Sequence, residues 1–200
     1  RQLPPRSGRR RIALNVADKL ITQIEDGHVT VDANHALAGL ALNFVAVGLD
    51  WDWAEAERLI KKSIELNPSY ATAHNFYCIQ LGAEGRFEEM ERAGLRGLES
   101  DPLSAHLHQS IGWGFYHARR YEEALRHLDR SLELDPNFVM ARWVKGWTLA
   151  QTGAHEEAVA ELERAVLLTD RQSVPILAGL ATTHAVAGNA WEALNILAEL

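Results

Sequence analysis

The sequence has few of the residues that mark secreted, membrane or metal-binding chains. It holds a single cysteine, Cys78, in 200 residues, which excludes an internal disulfide and a CxxC metal or redox motif. No apolar run approaches the roughly 18 residues needed to cross a bilayer, and the N-terminal stretch lacks the apolar core of a secretory signal. We therefore expect a cytoplasmic chain without a membrane partner. Because it opens on Arg1 and ends within an apolar-periodic stretch, we expect it to be a segment of a larger protein.

Acidic residues are missing only from the N-terminus. Residues 1–11 contain five arginines and no acid, whereas residues 12–200 carry 15 basic and 27 acidic groups. Phosphate binding needs clustered cations, so the acidic body argues against nucleic acid lying along it. Residues 1–8 contain proline, glycine and serine and are interpreted as a solvated basic linker or tail. Contact of this tail with nucleic acid or an acidic membrane stays open.

Motifs for catalysis, metal binding and cofactor binding are also missing. The sequence has no HExxH motif and no paired Cys/His spacing, and His106 and His108 lie two apart, on different faces of a predicted helix. No GxxxxGK[ST] loop is present, and no strand run precedes a glycine-rich turn. Cys78 falls at a small-residue position and lacks a positioned base. We therefore predict no enzyme, no metal site and no cofactor.

The sequence does contain a repeat of 34 residues. Three sets of residues recur with this spacing: Pro68, Pro102 and Pro136; Ala56, Met90, Ala124 and Ala158; and Gly112 and Gly146. Each unit contains two amphipathic segments, and in the clearest unit the predicted helices run from about Ser104 to His117 and from about Tyr121 to Leu134. Short turns make such helices antiparallel, and proline ends the second helix.

At these residues the chain resembles the tetratricopeptide repeat family. Ile111, Gly112, Phe115, Ala124, Leu128 and Pro136 match its pattern in one unit, and Gly146, Leu149, Ala158, Leu162 and Ala165 match it in the next. The resemblance implies an all-α, right-handed solenoid of antiparallel helix pairs over residues 33–200. Its repeats would cover residues 37–70, 71–104, 105–138 and 139–172, with a truncated fifth at 174–200. Residues 9–32 are predicted to form an N-terminal capping helix or half-repeat, with a helix over residues 9–26 followed by a connection.

More narrowly, the stretches DWDWAEAE, ELNPSYATAH, ARRYEEAL and ELDPNF resemble the tetratricopeptide segment of bacterial signalling proteins. In those proteins the partner domain is a winged-helix regulator, a Ser/Thr kinase or a class III cyclase. The resemblance implies a non-catalytic scaffold that binds a protein or peptide, as the sensory or docking segment of a regulator. The alternative is a structural or oligomerisation module that packs against a sister domain or a second copy.

In this architecture the first helix of each repeat lines the concave face, so the register implies a peptide-binding groove. The predicted groove residues are His106, Gln109, Trp113, Tyr116, His117, Met140, Trp143, Trp147 and Gln151. Tryptophan and tyrosine supply large contact area at low entropic cost, as binding hot spots require. The alternative is that these rings pack on neighbouring helices and seal the superhelix.

The second repeat departs from the pattern. Met90 replaces the expected alanine, while Gly94 and Gly97 replace larger residues. This predicts a volume swap in which the bulky Met90 occupies the space that the glycines leave. On this interpretation a methyl group at Gly94 collides with Met90.

Overall fold

The computed structural model describes residues 21–25, 28–31 and 52–198, and most of them are helical. The helices in this part of the chain are α1 Trp53–Leu66, α2 Ala71–Ala83, α3 Phe87–Ser100, α4 Ala105–His117, α5 Tyr121–Leu134, α6 Val139–Thr152, α7 His155–Leu168, α8 Val174–Val186 and α9 Ala190–Leu197. None of these helices is long and apolar enough to cross a bilayer. Three predicted segments lie outside the described residues. They are the basic tail, the part of the predicted 9–26 helix that covers residues 9–20, and the first helix of the first repeat.

Successive helices pair within a repeat, and each pair contacts the next. α1 is the second helix of the first repeat, and α2 with α3, α4 with α5, α6 with α7 and α8 with α9 form the following ones. One helix pair cannot bury its apolar face alone, so stacking on a neighbour builds a continuous core. The all-α solenoid that the family resemblance implies is confirmed over residues 52–198.

Helix ends follow from the residues that recur around each proline. Ser104 precedes α4 and its side chain accepts a hydrogen bond from the backbone N–H of Leu107, which satisfies one free donor of the first turn. Asp135 ends α5 in an extended conformation because Pro136 follows it. Asn67 and Asp101 end α1 and α3 in the same way. These caps place the bounds of the third repeat within one residue of those predicted.

The prediction of a helix through residue 26 is wrong over its last part. Strands β1 (Ile21–Glu25) and β2 (His28–Val31) pair antiparallel, with Ile24 opposite Val29 and an irregularity between Ile21 and Gln23. Both segments are rich in β-branched residues, which favour strands, and Asp-Gly at 26–27 is a strong hairpin turn sequence. The local preference for strand therefore outweighed the helical spacing of isoleucine and leucine.

Small residues let the two helices of a repeat approach closely. A Cβ on Gly112 would lie 2.7 Å from the Cγ of Leu128 and 3.2 Å from the backbone oxygen of Ala124. A Cβ on Gly146 would meet Leu162 at 2.6 Å in the next repeat. In both repeats the glycine of the first helix therefore packs against the second helix that carries the recurring alanine.

The predicted pairing of Met90 with Gly94 is wrong. A Cβ on Gly94 would lie 2.4 Å from the Cγ1 of Ile111, so Ile111 of the next repeat fills that space. Met90 is fully buried, and its terminal carbon lies 2.4 Å from the place of a Cβ on Gly114. The volume exchange therefore crosses the boundary between repeats, which spacing within one repeat does not reveal.

An arginine at the start of the second helix ties successive repeats together. Arg86 contacts Glu57 of α1 at 2.9 Å and Glu89 of its own helix at 2.7 Å. Arg120, one period later, contacts Glu91 at 2.9 Å. These groups are partly exposed, so each pair adds little free energy by itself and mainly fixes the register of the stack.

Candidate functional site: an aromatic groove

Four rings from two helices form the centre of the predicted groove. Trp113 and Tyr116 lie on α4, Trp143 and Trp147 lie on α6, and all four side chains are half-buried. The centroid of Trp147 lies 4.5 Å from that of Trp143 and 6.2 Å from those of both Trp113 and Tyr116. Such spacings are typical of favourable aromatic pairs. We call these four residues the ring cluster, and Trp147 contacts every other member of it.

The ring cluster also touches the fifth repeat, through Gly179 of α8. A Cβ on Gly179 would lie 2.7 Å from the Nε1 of Trp147 and 3.3 Å from the Nε1 of Trp143. The Trp143 Nε1 is buried and has no hydrogen-bond partner among the described residues. Each indole therefore rests one part on α8 and leaves another part accessible, so the groove and core alternatives each hold for part of the ring.

His117 extends the ring cluster at the end of α4. Its ring packs edge-on against Trp113 at 4.4 Å and against Tyr116 at 5.2 Å, while the residue itself is exposed. Burial lowers the pKa of His117 and raises the pKa of Tyr116. Both shifts favour the neutral side chain, so this end of the surface presents uncharged donors and acceptors.

The other predicted groove residues surround the ring cluster without joining it. His106 stacks on Phe138 at 4.6 Å, near the start of α4. Met140 is 40% exposed, Gln151 is exposed and Gln109 is half-buried. No side chain among the nine is fully buried, so all of them keep some surface that a partner can contact. We call the nine residues together the aromatic groove.

Charge is absent from most of the first helices of the repeats. Helices α2, α4 and α8 contain no aspartate, glutamate, lysine or arginine. In α6 the two cations are used elsewhere, because Arg142 pairs with Glu161 and Lys145 lies 2.9 Å from both Asp129 and Glu161. The aromatic groove therefore offers shape and apolar surface with little net charge.

Sequence reasoning missed two contributors to this surface. Gly179 makes the room in which both indoles sit, and its only sequence sign is a glycine inside a predicted helix. Phe76 is 38% exposed on α2, and together with Ile79, which is 40% exposed, it gives the first helix of the second repeat an exposed apolar surface. No group of three or more potential metal ligands occurs within the described parts of the chain.

The fold and part of the sequence match known proteins. Residues 110–174 match the tetratricopeptide repeat model, and they include the whole ring cluster. Residues 110–174 therefore carry the sequence pattern of tetratricopeptide repeats. The family resemblance predicted from the sequence is thus confirmed, and proteins of this family are generally non-catalytic scaffolds. No curated protein sequence matched the chain significantly.

Solved tetratricopeptide structures resemble this one in fold. TTC0263, a thermophilic protein of Thermus thermophilus, is 19% identical with a TM-score of 0.73, and the match covers 82% of this chain and 89% of that one. PilW, a type IV pilus biogenesis factor, is 20% identical with a TM-score of 0.76 over 84% and 78% of the two chains. YrrB, described as having an unusual peptide-binding site, is 21% identical with a TM-score of 0.59 over 83% and 84%. At these identities the likeness concerns the fold.

Proposed function

We propose that the chain is a non-catalytic scaffold that binds a protein or peptide segment in the aromatic groove. The observation that carries this is the ring cluster, in which four large rings are gathered yet only half-buried. Half-exposed tryptophan and tyrosine rings concentrate binding energy, because they bury large areas and lose little entropy. YrrB, which shares the fold, is described as having a peptide-binding site, so peptide binding occurs within this fold.

The surface favours an extended segment with apolar or aromatic side chains and few charges. Buried charges need partners, and the first helices that the structure describes offer only Arg142 and Lys145, both already paired. Gln109 and Gln151 supply amides at either side of the rings, and amides hydrogen-bond to an extended backbone without selecting its charge. Specificity then comes from the side chains that fit between the rings.

The experiment compares two tryptophans in one chain. A peptide is first selected from a displayed library against the wild-type protein, and its affinity is measured by calorimetry. Trp147→Ala should then cost about 2 kcal/mol or more of binding free energy, as hot-spot aromatics do. Trp191, which is 72% exposed on α9 and lies outside the aromatic groove, is the matched control, and Trp191→Ala should leave the affinity unchanged.

Stability distinguishes a binding ring from a core ring in the same variant. A fully buried Trp→Ala substitution costs roughly 3 to 5 kcal/mol of unfolding free energy, and the half-buried Trp147 should cost less. A large loss of stability, or an unchanged affinity, would indicate that the ring cluster has a structural role.

The second candidate function is a structural or oligomerisation module, and the end of the stack favours it. Trp191, Leu194 and Leu197 on α9 are 72%, 66% and 51% exposed. At the positions equivalent to Leu197 in earlier repeats, Leu128 and Leu162 are fully buried. Sedimentation over a range of concentrations tests this, because Leu194→Glu should convert any dimer to monomer while leaving peptide binding intact.

The cellular role that we propose is that of a sensory or docking segment in a larger bacterial regulatory protein in the cytoplasm. Its support is the resemblance of stretches such as DWDWAEAE and ARRYEEAL to the repeat segments of such regulators. Sequencing the complete gene tests this directly, since a winged-helix, kinase or cyclase domain in the same reading frame is expected. A full-length product consisting of repeats alone would contradict it.

A further inference from the structure

A cleft lies between the second helices of the first two repeats, away from the aromatic groove. It has a volume of about 400 Å³ and is lined by residues of α1, α2 and α3. The lining residues that matter here are Lys61, His74, Tyr77, Arg92, Ala93 and Arg96. This volume is within the range of pockets that hold small molecules.

A buried imidazole with one unused nitrogen forms part of the cleft wall. His74 is only 4% exposed, and its Nε2 lies 2.9 Å from the carbonyl oxygen of Pro68. A carbonyl only accepts hydrogen bonds, so Nε2 carries the hydrogen and Nδ1 is left to find a partner. The Nδ1 is buried and has no hydrogen-bond partner in the described part of the chain.

The next repeat shows how the same nitrogen is satisfied when the cleft is closed. His108 stands 34 residues after His74, and it likewise donates a hydrogen bond to the carbonyl of the preceding proline, Pro102. Its Nδ1 lies 3.1 Å from the Nδ1 of His127. In the second repeat the position of His127 is taken by Ala93, whose methyl group cannot hydrogen-bond. The cleft therefore lies where the following repeat places an imidazole.

The charges around the cleft leave an unpaired positive excess. Arg92 and Arg96 lie four residues apart on α3, and neither guanidinium is within hydrogen-bond or ion-pair distance of an acid in the described part of the chain. Arg92 is attracted to Glu89 only at longer range, through their charges. The other charged groups have partners: Lys61 contacts Glu57 at 2.8 Å, Glu89 contacts Arg86 at 2.7 Å and Glu65 contacts Lys62 at 3.2 Å. A free pair of guanidinium groups beside a cleft favours an anion, and guanidinium is well suited to phosphate and carboxylate oxygens.

We propose that this cleft binds a small organic oxyanion, of the class of a phosphate monoester or a dicarboxylate. The anionic oxygens pair with Arg92 and Arg96 at the mouth. A ligand hydroxyl donates a hydrogen bond to the Nδ1 of His74. The ligand thus occupies the place that His127 fills one repeat later, and this site is separate from the aromatic groove.

The test is an NMR titration of the 200-residue chain with inorganic phosphate, O-phosphoserine and citrate. The phosphate and carboxylate probes distinguish the two sources of oxyanion. At least one probe should bind saturably and shift the ring resonances of His74 and the amides near Ala93. Replacing Arg92 and Arg96 by glutamine together should weaken that probe by at least about tenfold, which corresponds to about 1.4 kcal/mol.

Two further variants use the repeat as a control. Ala93→His supplies the chain's own imidazole and should weaken binding by at least about tenfold without lowering the melting temperature. Arg126→Gln with Arg130→Gln, the same two positions one repeat later, should change affinity less than about twofold. If Ala93→His fails to fold, the exposed double-arginine variant still decides the question. No saturable binding of any probe, or equal weakening in the control pair, would overturn the proposal.

Discussion

The second and third repeats meet through small residues, whereas the later repeats meet through large rings. A Cβ on Gly82 of α2 would lie 3.7 Å from the Cα of Gly114 on α4, so the two backbones run close together. Met90, which is fully buried, fills the remaining space from the neighbouring helix. This junction is closed by tight packing and has no room for a ligand.

At the next junction the same repeat position holds a different kind of residue. Tyr116 of α4 stands where α2 has Gly82, and Trp113 and Trp147 stand where α2 has Ile79. These rings hold the first helices apart, and each ring remains half-buried. Residue size at a few positions therefore separates a tightly packed junction from one that leaves large rings half-buried.

The largest effect that we expect is at the tight junction. Gly94→Ala places a methyl group 2.4 Å from the Cγ1 of Ile111, a stiff and fully buried side chain. Overpacking of this kind costs typically about 1 to 3 kcal/mol, which exceeds the gain in helix propensity of roughly 1 kcal/mol. Urea unfolding should show a net loss of about 1 to 2 kcal/mol.

Gly82→Ala is the matched control at the same junction. Its methyl group would meet Gly114 and Met90 at 3.7 Å, an ordinary contact distance. Helix propensity should then dominate and raise the unfolding free energy by up to about 1 kcal/mol. Equal losses in both variants would contradict the packing account and indicate a general intolerance of side chains on α2 and α3.

The second effect is the loss of stability at acidic pH, which we expect to arise in the third repeat. Burial lowers the pKa of His127 to about 4 and also lowers the pKa of His108. The folded state thus favours the neutral rings, so their stabilising contribution is complete above the unfolded-state pKa of about 6.5. It is lost as the pH falls from about 6.5 towards 4.

His127→Phe removes this titration while keeping a ring in place. Unfolding free energies measured between about pH 7 and pH 5 should therefore fall less steeply in the variant than in the wild type. Because the two rings are in hydrogen-bond contact, their protonation is coupled and the change belongs to the pair. The same pH slope in both proteins would show that the pair does not govern acid sensitivity.

A third prediction tests whether the ring cluster tolerates an added methyl group better than the tight junction does. Gly179→Ala brings a methyl group within 2.7 Å of the Trp147 Nε1, at the edge of a half-exposed ring that has room to shift. A displaced rotamer costs on the order of 0.5 to 1.5 kcal/mol, so the loss should stay near about 1 kcal/mol. Tryptophan fluorescence should change and peptide affinity should fall. A loss as large as that of Gly94→Ala would place both indoles in the rigid core.

The smallest effect is in a turn between paired helices. Arg119 has a φ of 59°, at the place where the neighbouring repeats have Gly85, Gly153 and Gly188 with φ of 75°, 85° and 87°. A side chain in this left-handed region is strained, so Arg119→Gly should raise stability by about 0.5 to 1 kcal/mol. Thermal melts of Arg119→Gly and Arg119→Ala separate strain from loss of the side chain, since alanine should bring no gain.

The repeat made much of the fold predictable. Proline spacing and the caps Ser104 and Asp135 fixed the helices of the third repeat, because these residues act locally. The contacts of Met90 and Gly94 were not predictable in the same way, since they join different repeats. At residues 21–25 a local preference for strand outweighed a helical spacing of apolar residues.

The sequence predicted which residues form the candidate site, but it did not predict how far their side chains are buried. The register named all four rings of the ring cluster, yet the packing of Trp143 and Trp147 depends on Gly179, 32 residues after Trp147 and on another repeat. The contrast between Ala93 and His127 was likewise present in the sequence. Its consequence became visible only in the structure, where the Nδ1 of His108 contacts His127 and the Nδ1 of the equivalent His74 has no partner among the described residues.

We propose that the ring cluster is the binding surface. One NMR titration tests this most directly. The six tryptophans each give an indole N–H resonance, and the selected peptide is added to the labelled wild-type chain. The resonances of Trp113, Trp143 and Trp147 should shift together and saturate at one peptide per chain, while those of Trp53 and Trp191 stay in place. Shifts at Trp191 with the ring cluster unchanged would contradict the account and move binding to the end of the stack.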